Sequence, residues 1–480
     1  MQWMRGWSAV VLALALASGA RAQTTGVVRE QINIQAQAQG RPFPHFWEQM
    51  FGSGHANLAL RASYRQDLRA VKRVTDFEYV RFHGILDDDN GVYTEDAHGN
   101  PVYNFQYVDQ IYDGLLKNGV RPLVEISFMP KELAFNPYDL QAFWYHPNVS
   151  PPKSWERWDE LMKAFARHLV ARYGIDEVSQ WYFEEWNEPN IDFWGGIPRQ
   201  QSYFELYAHT ARDLKSVSPR LRVGGPATAA ASWVPEFLTY MAAHQVPVDF
   251  VSTHGYADDT VWNLFHTHEK IPMDDRVCRA IEKVDGQIAA SPMPHLPLLW
   301  TEWNVPGHDG IRDTTFVGPA VANTVRQCVG KVKMMSFWTF ADVFEEGGPI
   351  PAPFTGQFGL IAEGGIRKPS FYDFSLLHQL GDVELANPSN DAIVTRTKDG
   401  KLAIAVWNLV DPGKGGEVHG PEKDIRLNFT GLSADAVATI SRVDDEHGNT
   451  LALYRKMGSP VYPTMAQVKE LNAQSCWPRR

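Results

Sequence analysis

Cysteine is scarce in this chain of 480 residues, which has only Cys278, Cys328 and Cys476. Three thiols so widely spaced exclude a disulfide framework or a thiolate metal cluster, and at most one pair can bridge. Runs of lysine and arginine are missing too, and the formal net charge is −11. That balance argues against nucleic acid as a partner. Beyond the N-terminal segment, no apolar stretch is long enough to span a bilayer. The 16 histidines include no His-Glu-x-x-His arrangement or comparable cluster, so the residues point to neither metal catalysis nor a cofactor. Internal repeats and low-complexity segments are absent as well.

What is present begins with an address. Arg5, the apolar stretch Val10 to Ala17 and the small-x-small end Ala20-Arg21-Ala22 have the layout of a cleaved secretory signal over residues 1–22. The expected product starts near Gln23, lies in the periplasm or the medium, and has no membrane attachment after cleavage. Its length exceeds what one hydrophobic core usually supports, so a large domain with a smaller companion is expected.

From about residue 43 to 375, apolar strand-like runs alternate with helical periodicity. Strands are expected at Pro44–Phe46, Tyr79–Phe82, Leu123–Ser127, Gln180–Phe183, Leu221–Val223, Phe250–Thr253, Leu298–Thr301 and Ser336–Phe340. Between Ser154 and Tyr173, apolar residues recur every three or four positions, and Gly174 comes next as a stop. Eight strand-then-helix units predict an α/β fold, a (β/α)8 TIM barrel over 43–375. Past Leu380 the pattern turns to period-two alternation with turn signals such as Lys398-Asp399-Gly400. Strands are expected at 392–395, 402–407, 425–429 and Ala436–Arg442. With residues 27–42 they predict an accessory antiparallel β-sandwich from 27–42 plus 380–455, leaving a helix and tail at 456–480.

Two glutamates lie at the ends of expected strands, in Trp186-Asn187-Glu188-Pro189 and Trp300-Thr301-Glu302-Trp303. In such a barrel the carboxyl ends of the strands are where reactive groups collect. Two carboxylates meeting there can cleave a glycosidic bond, one protonating the leaving oxygen while the other attacks the anomeric carbon or activates water. Asn187, beside the first, is placed to hold the sugar 2-hydroxyl. Other polar and aromatic residues stand after the remaining strands: His83, Phe128, His254, Tyr256, Trp338, Asp342, Glu345 and Glu346. Each has a plainer reading. Asn-Glu-Pro also suits a helix start, Glu125, Glu184 and Glu185 suit structural pairing with Arg or His, and His83 and Phe128 fit core positions as well as sugar contacts.

Trp-Asn-Glu-Pro-Asn at 186–190, Arg81–Gly84, Ser53-Gly54-His55, His254-x-Tyr256 and the run Phe337 to Phe340 with Phe344-Glu345-Glu346 together resemble glycoside hydrolase family 39. That family contains β-xylosidases and α-L-iduronidases. The resemblance runs from about Phe43 into the C-terminal tail, and Glu345-Glu346 with His55 favour its β-xylosidase branch. It implies a retaining mechanism with Glu188 as acid/base and Glu302 as nucleophile. It further implies that His254 and Tyr256 steady the nucleophile's surroundings, that His55, Glu345 and Glu346 bind hydroxyls, and that Trp338 forms an apolar floor.

The expected substrate is a neutral glycan, with β-D-xylose released from the non-reducing ends of xylo-oligosaccharides. A uronate would need a basic residue in the pocket, whereas the eighth strand leads into an acidic pair. An iduronidase, an arabinosidase, an endo-glycanase and a catalytically silent glycan-binding protein remain as alternatives.

Overall fold

The computed structural model describes residues 27–410, 420–433 and 435–474. The expected signal segment 1–22 and Cys476 lie outside the described residues. Eight strands form a closed, all-parallel barrel: β1 Met50–His55, β2 Tyr79–His83, β3 Arg121–Ile126, β4 Tyr182–Glu185, β5 Arg222–Thr228, β6 Phe250–His254, β7 Leu298–Trp303 and β8 Met334–Phe337. Neighbours keep chain order, and β8 closes onto β1 with Ser336 opposite Met50 and Phe337 opposite Phe51. The principal helices after the strands are α1 Ala62–Lys72, α2 Gln106–Lys117, α3 Trp155–Tyr173, α4 Arg199–Val217, α5 Val234–Ala243, α6 Met273–Ala289, α7 Val317–Cys328 and α8 Pro369–Leu377. The start of α3 shows why sequence periodicity located it well. The Ser154 hydroxyl caps the helix by accepting from Arg157 N, and Gly174 ends it at φ 79°.

Barrel strands are buried on both faces, which is why they read as apolar runs. Met50, Tyr79, Leu123, Tyr182, Phe250, Leu299 and Met334 form one inward-facing cluster. The residues two positions further on from Tyr79, Leu123 and Tyr182 are Arg81, Glu125 and Glu184. Period-two geometry carries those charges toward the carboxyl end of the barrel interior.

The first strand departs from expectation. Pro44–Phe46 lies before it in a turn, and the strand itself is Met50–His55. Its two glycines lower its strand propensity, yet packing requires them. A Cβ on Gly52 would sit 1.9 Å from the Trp338 ring, and one on Gly54 2.0 Å from the Phe344 carbonyl oxygen.

Outside the barrel, Arg41–Pro42, Val383–Leu385, Ala392–Arg396 and Leu402–Val406 make a four-stranded antiparallel sheet. Val28–Gln35 pairs in parallel with Lys423–Thr430, and Ile32 and Ile34 pack against Leu385, Ala392 and Val394 of the four-stranded sheet. Ala436–Arg442, expected as a strand, pairs with nothing in a sheet and is largely exposed. Two short helices come next, Thr450–Lys456 and Met465–Leu471, whose Leu451, Tyr454 and Leu471 pack on Ala362 and Ile366.

Candidate active site

Arg81 anchors the site from inside the barrel. Its guanidinium is fully buried and donates to Glu184 Oε2 at 2.5 Å, Glu302 Oε1 at 2.6 Å and Asn187 Oδ1 at 3.0 Å, with Glu125 Oε2 at 2.8 Å. Burial works against its charge, but Glu125, Glu184 and Glu302 together hold its pKa above the ordinary value. His83 lies next to it, between Glu125 Oε2 at 2.8 Å and Glu346 Oε1 at 3.3 Å. Burial again opposes the charge, and these two carboxylates raise the imidazole pKa to about 10.

Glu188 emerges after β4 on a backbone held in an uncommon conformation. Trp186 has φ 67° and Glu188 φ 44°, each a cost of about 1–3 kcal/mol that surrounding structure must offset. The Trp186 indole donates to the Phe193 carbonyl at 2.5 Å and meets Trp194 edge-on, while Glu188 N donates to Ala227 O at 2.9 Å. Glu302 reaches the same place by a different device. Leu299 and Thr301 face the barrel interior, so strict alternation would turn Glu302 outward. Pairing with β6 slips there, Thr253 lying opposite Trp300 and His254 opposite Glu302, and the irregularity re-aims the carboxylate into the mouth.

A carboxylate oxygen of Glu188 thus lies within 4.8 Å of one of Glu302, with His254 between them. His254 Nδ1 is 3.0 Å from Glu188 Oε1 and 3.6 Å from Glu302 Oε1. The Tyr256 hydroxyl donates to Glu302 Oε2 at 2.5 Å. Burial pushes Glu188 up to about 7, against the pull of His83 and Arg81. Burial pushes Glu302 upward as well, opposed by His254 and Arg81. His254 is itself driven down to about 4 by burial, which leaves it neutral near pH 7. The cation facing Glu302 is therefore Arg81, joined to it directly.

Both glutamates line a cavity of about 370 Å³, together with Asn187, Tyr256, Trp338 and Glu346. Trp338 packs tilted on His83 at 4.9 Å. Four of the expected residues are not part of this wall; His254 is fully buried between the two glutamates, and the other three stand further off. His55 stacks on Tyr145 at 4.1 Å and pairs with Asp89 at 3.1 Å. Phe128 is fully buried and meets Trp186 edge-on at 5.8 Å. Glu345 is engaged by the Arg61 guanidinium through both carboxylate oxygens. The adjacent pair 345–346 is therefore split, because φ of 63° at Glu345 turns successive side chains apart. Glu125 and Glu184 occupy the pairing roles expected of them, with Arg81 and His83.

The cavity also contains residues that sequence reasoning passed over, and His83, which it left open between core and sugar contact. His83 lines it, as do Phe143, Phe193 and Phe358, the acids Asp258 and Asp259, and Arg312. Asp258 and Asp259 come just after Tyr256 on one loop and were legible as polar residues after a strand. Arg312 has no such signal. It comes from the turn His308–Asp313, packs its guanidinium 4.3 Å from the Phe358 ring centre, and stands 3.6 Å from Asp258 Oδ2.

Two groups of side chains bring metal-binding atom types together among the described residues. One is Glu188, His254 and Glu302 themselves. The other is His45, Glu48, Asp76 and His378, where Glu48 already accepts from both imidazoles at 2.6 and 3.0 Å.

A closed (β/α)8 barrel that gathers two carboxylates at the ends of its fourth and seventh strands, beside a polar cavity with an aromatic floor, is the framework of a glycoside hydrolase. Comparison with known proteins agrees. Residues 30–477 match the model of glycosyl hydrolases family 39, and the chain belongs to that family. It is 37% identical over 453 residues to a β-xylosidase of Geobacillus stearothermophilus, an alignment covering 92% of this chain and 88% of that one. Its structure superposes with a TM-score of 0.80 on a family 39 β-xylosidase of Caulobacter crescentus, at 35% identity and 93% coverage of both chains. A family 39 enzyme of Xanthomonas axonopodis pv. citri gives a TM-score of 0.85 at 32% identity, covering 96% of this chain and 93% of that one.

Proposed function

We propose that the protein is a retaining, exo-acting β-xylosidase releasing β-D-xylose from the non-reducing ends of xylo-oligosaccharides. The observation that carries this reading is the pair Glu188 and Glu302, with oxygens within 4.8 Å of each other. Retaining pairs stand roughly 5–5.5 Å apart and inverting pairs about 6.5–9.5 Å, since the latter leave room for water. Glu188, largely buried at the cavity wall and raised to about 7, is the general acid. Glu302, held by Arg81 and Tyr256, is the nucleophile that attacks the anomeric carbon. When the glycosyl ester forms, the negative charge of Glu302 is lost. The pKa of Glu188 then falls, and Glu188 takes a proton from the attacking water. Asn187, aligned by Arg81, meets the 2-hydroxyl. His254 and Tyr256 steady the two carboxylates, Trp338 supplies the floor, and Glu346 accepts from hydroxyls remote from the cleaved bond. His55, Phe128 and Glu345 act from behind the wall, as supports.

Charge supports a neutral sugar. Glu188, Asp258, Asp259, Glu302 and Glu346 all line the cavity, and both cations in its wall are engaged, His83 between Glu125 and Glu346 and Arg312 beside Asp258. Exo action is supported by a joined wall at one end. Trp144 N donates to Glu346 O at 2.9 Å, and the Trp144 ring packs over Gly348, so the loop after β3 is fastened to the turn after β8. The buried Cys278–Cys328 disulfide supports a location in the periplasm or medium, where such bonds persist.

The test is hydrolysis of an aryl β-D-xylopyranoside, with the aryl α-L-iduronide and α-L-arabinofuranoside in parallel, the released anomer being tracked by NMR. β-Xylose as first product supports the reading. Turnover of the iduronide alone would overturn the substrate, and α-xylose as first product would overturn retention. Xylotriose checks the exo mode, which requires xylose from the earliest time points.

A further inference from the structure

A second cavity, about 440 Å³, opens between α7 and the edge of the four-stranded accessory sheet. Gln39, Arg41, Glu384, Asn387 and Ser389 line it from the sheet side, and Arg326 from α7. The wall contains polar side chains and no aromatic ring. Two of the charges cancel locally, because Arg41 Nε donates to Glu384 Oε2 at 2.6 Å. Arg326 is different. It has no hydrogen-bond or ion-pair partner among the described residues, and its Nε is out of solvent with no acceptor. On the neighbouring helix, Asp275 accepts from the amide of Gln327 at 2.9 Å and makes no ion pair with Arg326. A half-buried guanidinium with unused donors beside a polar cavity is an unfavourable arrangement unless something accepts from it.

We propose that this cavity binds a hydroxylated carboxylate, a sugar acid of the uronate class, at a site separate from the active site. The planar fork of Arg326 matches a carboxylate, and its uncancelled charge calls for one negative charge. Around it, Asn387 Oδ1 accepts from Ser389 N at 3.0 Å, and Ser389 Oγ accepts from Asp391 N at 3.0 Å. These bonds hold two polar side chains in place while leaving them donors for ligand hydroxyls. The absence of an aromatic platform disfavours a neutral sugar held by stacking.

Calorimetric titration of the protein with D-glucuronate, with D-xylose and inorganic phosphate as parallel ligands, tests the assignment. Glucuronate is expected to bind, and Arg326→Gln to weaken it about tenfold or more, the size expected for losing a charge-assisted hydrogen bond. The ligand-free thermal midpoint should stay unchanged. Should that variant fail to fold, Asn387→Ala is expected to weaken binding in the same direction. Failure of glucuronate to bind, or equal binding by the folded variant, which would place the ligand in the other cavity, overturns the proposal. Phosphate binding as tightly as glucuronate would overturn the sugar-acid class.

Discussion

Glu302 is a buried carboxyl and Glu188 a largely buried one, and what separates them is their partners. Glu188 faces the neutral His254, whereas Glu302 takes donors from Arg81 and Tyr256. In the proposed roles the acid must be protonated, so activity should fall as pH rises through about 7. Glu188→Gln is expected to remove that limb of the profile. It should also lower kcat/KM by about 10²–10⁴-fold on substrates with poor leaving groups and much less on activated aryl glycosides, whose kcat still falls because the attacking water has lost its base. Steady-state kinetics on both substrate types against pH checks this. Glu302→Ala should abolish turnover, with azide restoring it and giving the α-glycosyl azide. Recovery of the β-azide, read by NMR, would assign Glu302 to the acid/base role instead.

At the scale of elements, the site depends on strands and helices that tolerate little change. The lack of a side chain at Gly52 is what admits the Trp338 ring. Gly52→Ala should therefore cost about 1–3 kcal/mol through overpacking and disturb the floor, measurable as a lowered denaturation midpoint with raised KM. The pair Cys278 and Cys328 joins α6 to α7 across 50 residues of chain. Closing a loop of that length stabilises the folded state by about 4 kcal/mol in the chain-entropy account. Cys328→Ser should show a loss of that order in denaturant unfolding under non-reducing conditions, and little difference from the reduced parent.

For the molecule as a whole, stability should decline in alkali. His83 has a folded pKa of about 10 against 6.5 unfolded. Its stabilising contribution is complete below pH 6.5 and is lost as pH rises toward 10. Asp67, pushed by burial to about 8, adds in the same direction, because its ionisation above the ordinary carboxylate range penalises the fold. Thermal midpoints should thus fall between pH 6.5 and 10, the loss being on the order of a few kcal/mol. His83→Asn should flatten the decline. A midpoint that rises over this window would contradict the charged His83 on which the Glu125–His83–Glu346 arrangement rests.

Much of the barrel was legible in the sequence because strands buried on both faces must be apolar and helices outside them must be amphipathic. Both rules act locally, so every strand after the first was placed to within a few residues. The first strand escaped because its glycines answer to Trp338 and Phe344, residues at the far end of the barrel's sequence. Glu188 and Glu302 were legible as polar residues at the ends of apolar runs. That they converge was not, since Glu302 enters the mouth through a slip in strand pairing. Splitting Glu345 from Glu346, bringing Arg312 to Asp258, and leaving Arg326 beside a second cavity are likewise decisions of the tertiary structure. Each depends on which distant chain segment fills the space beside a side chain, and local periodicity carries no record of that.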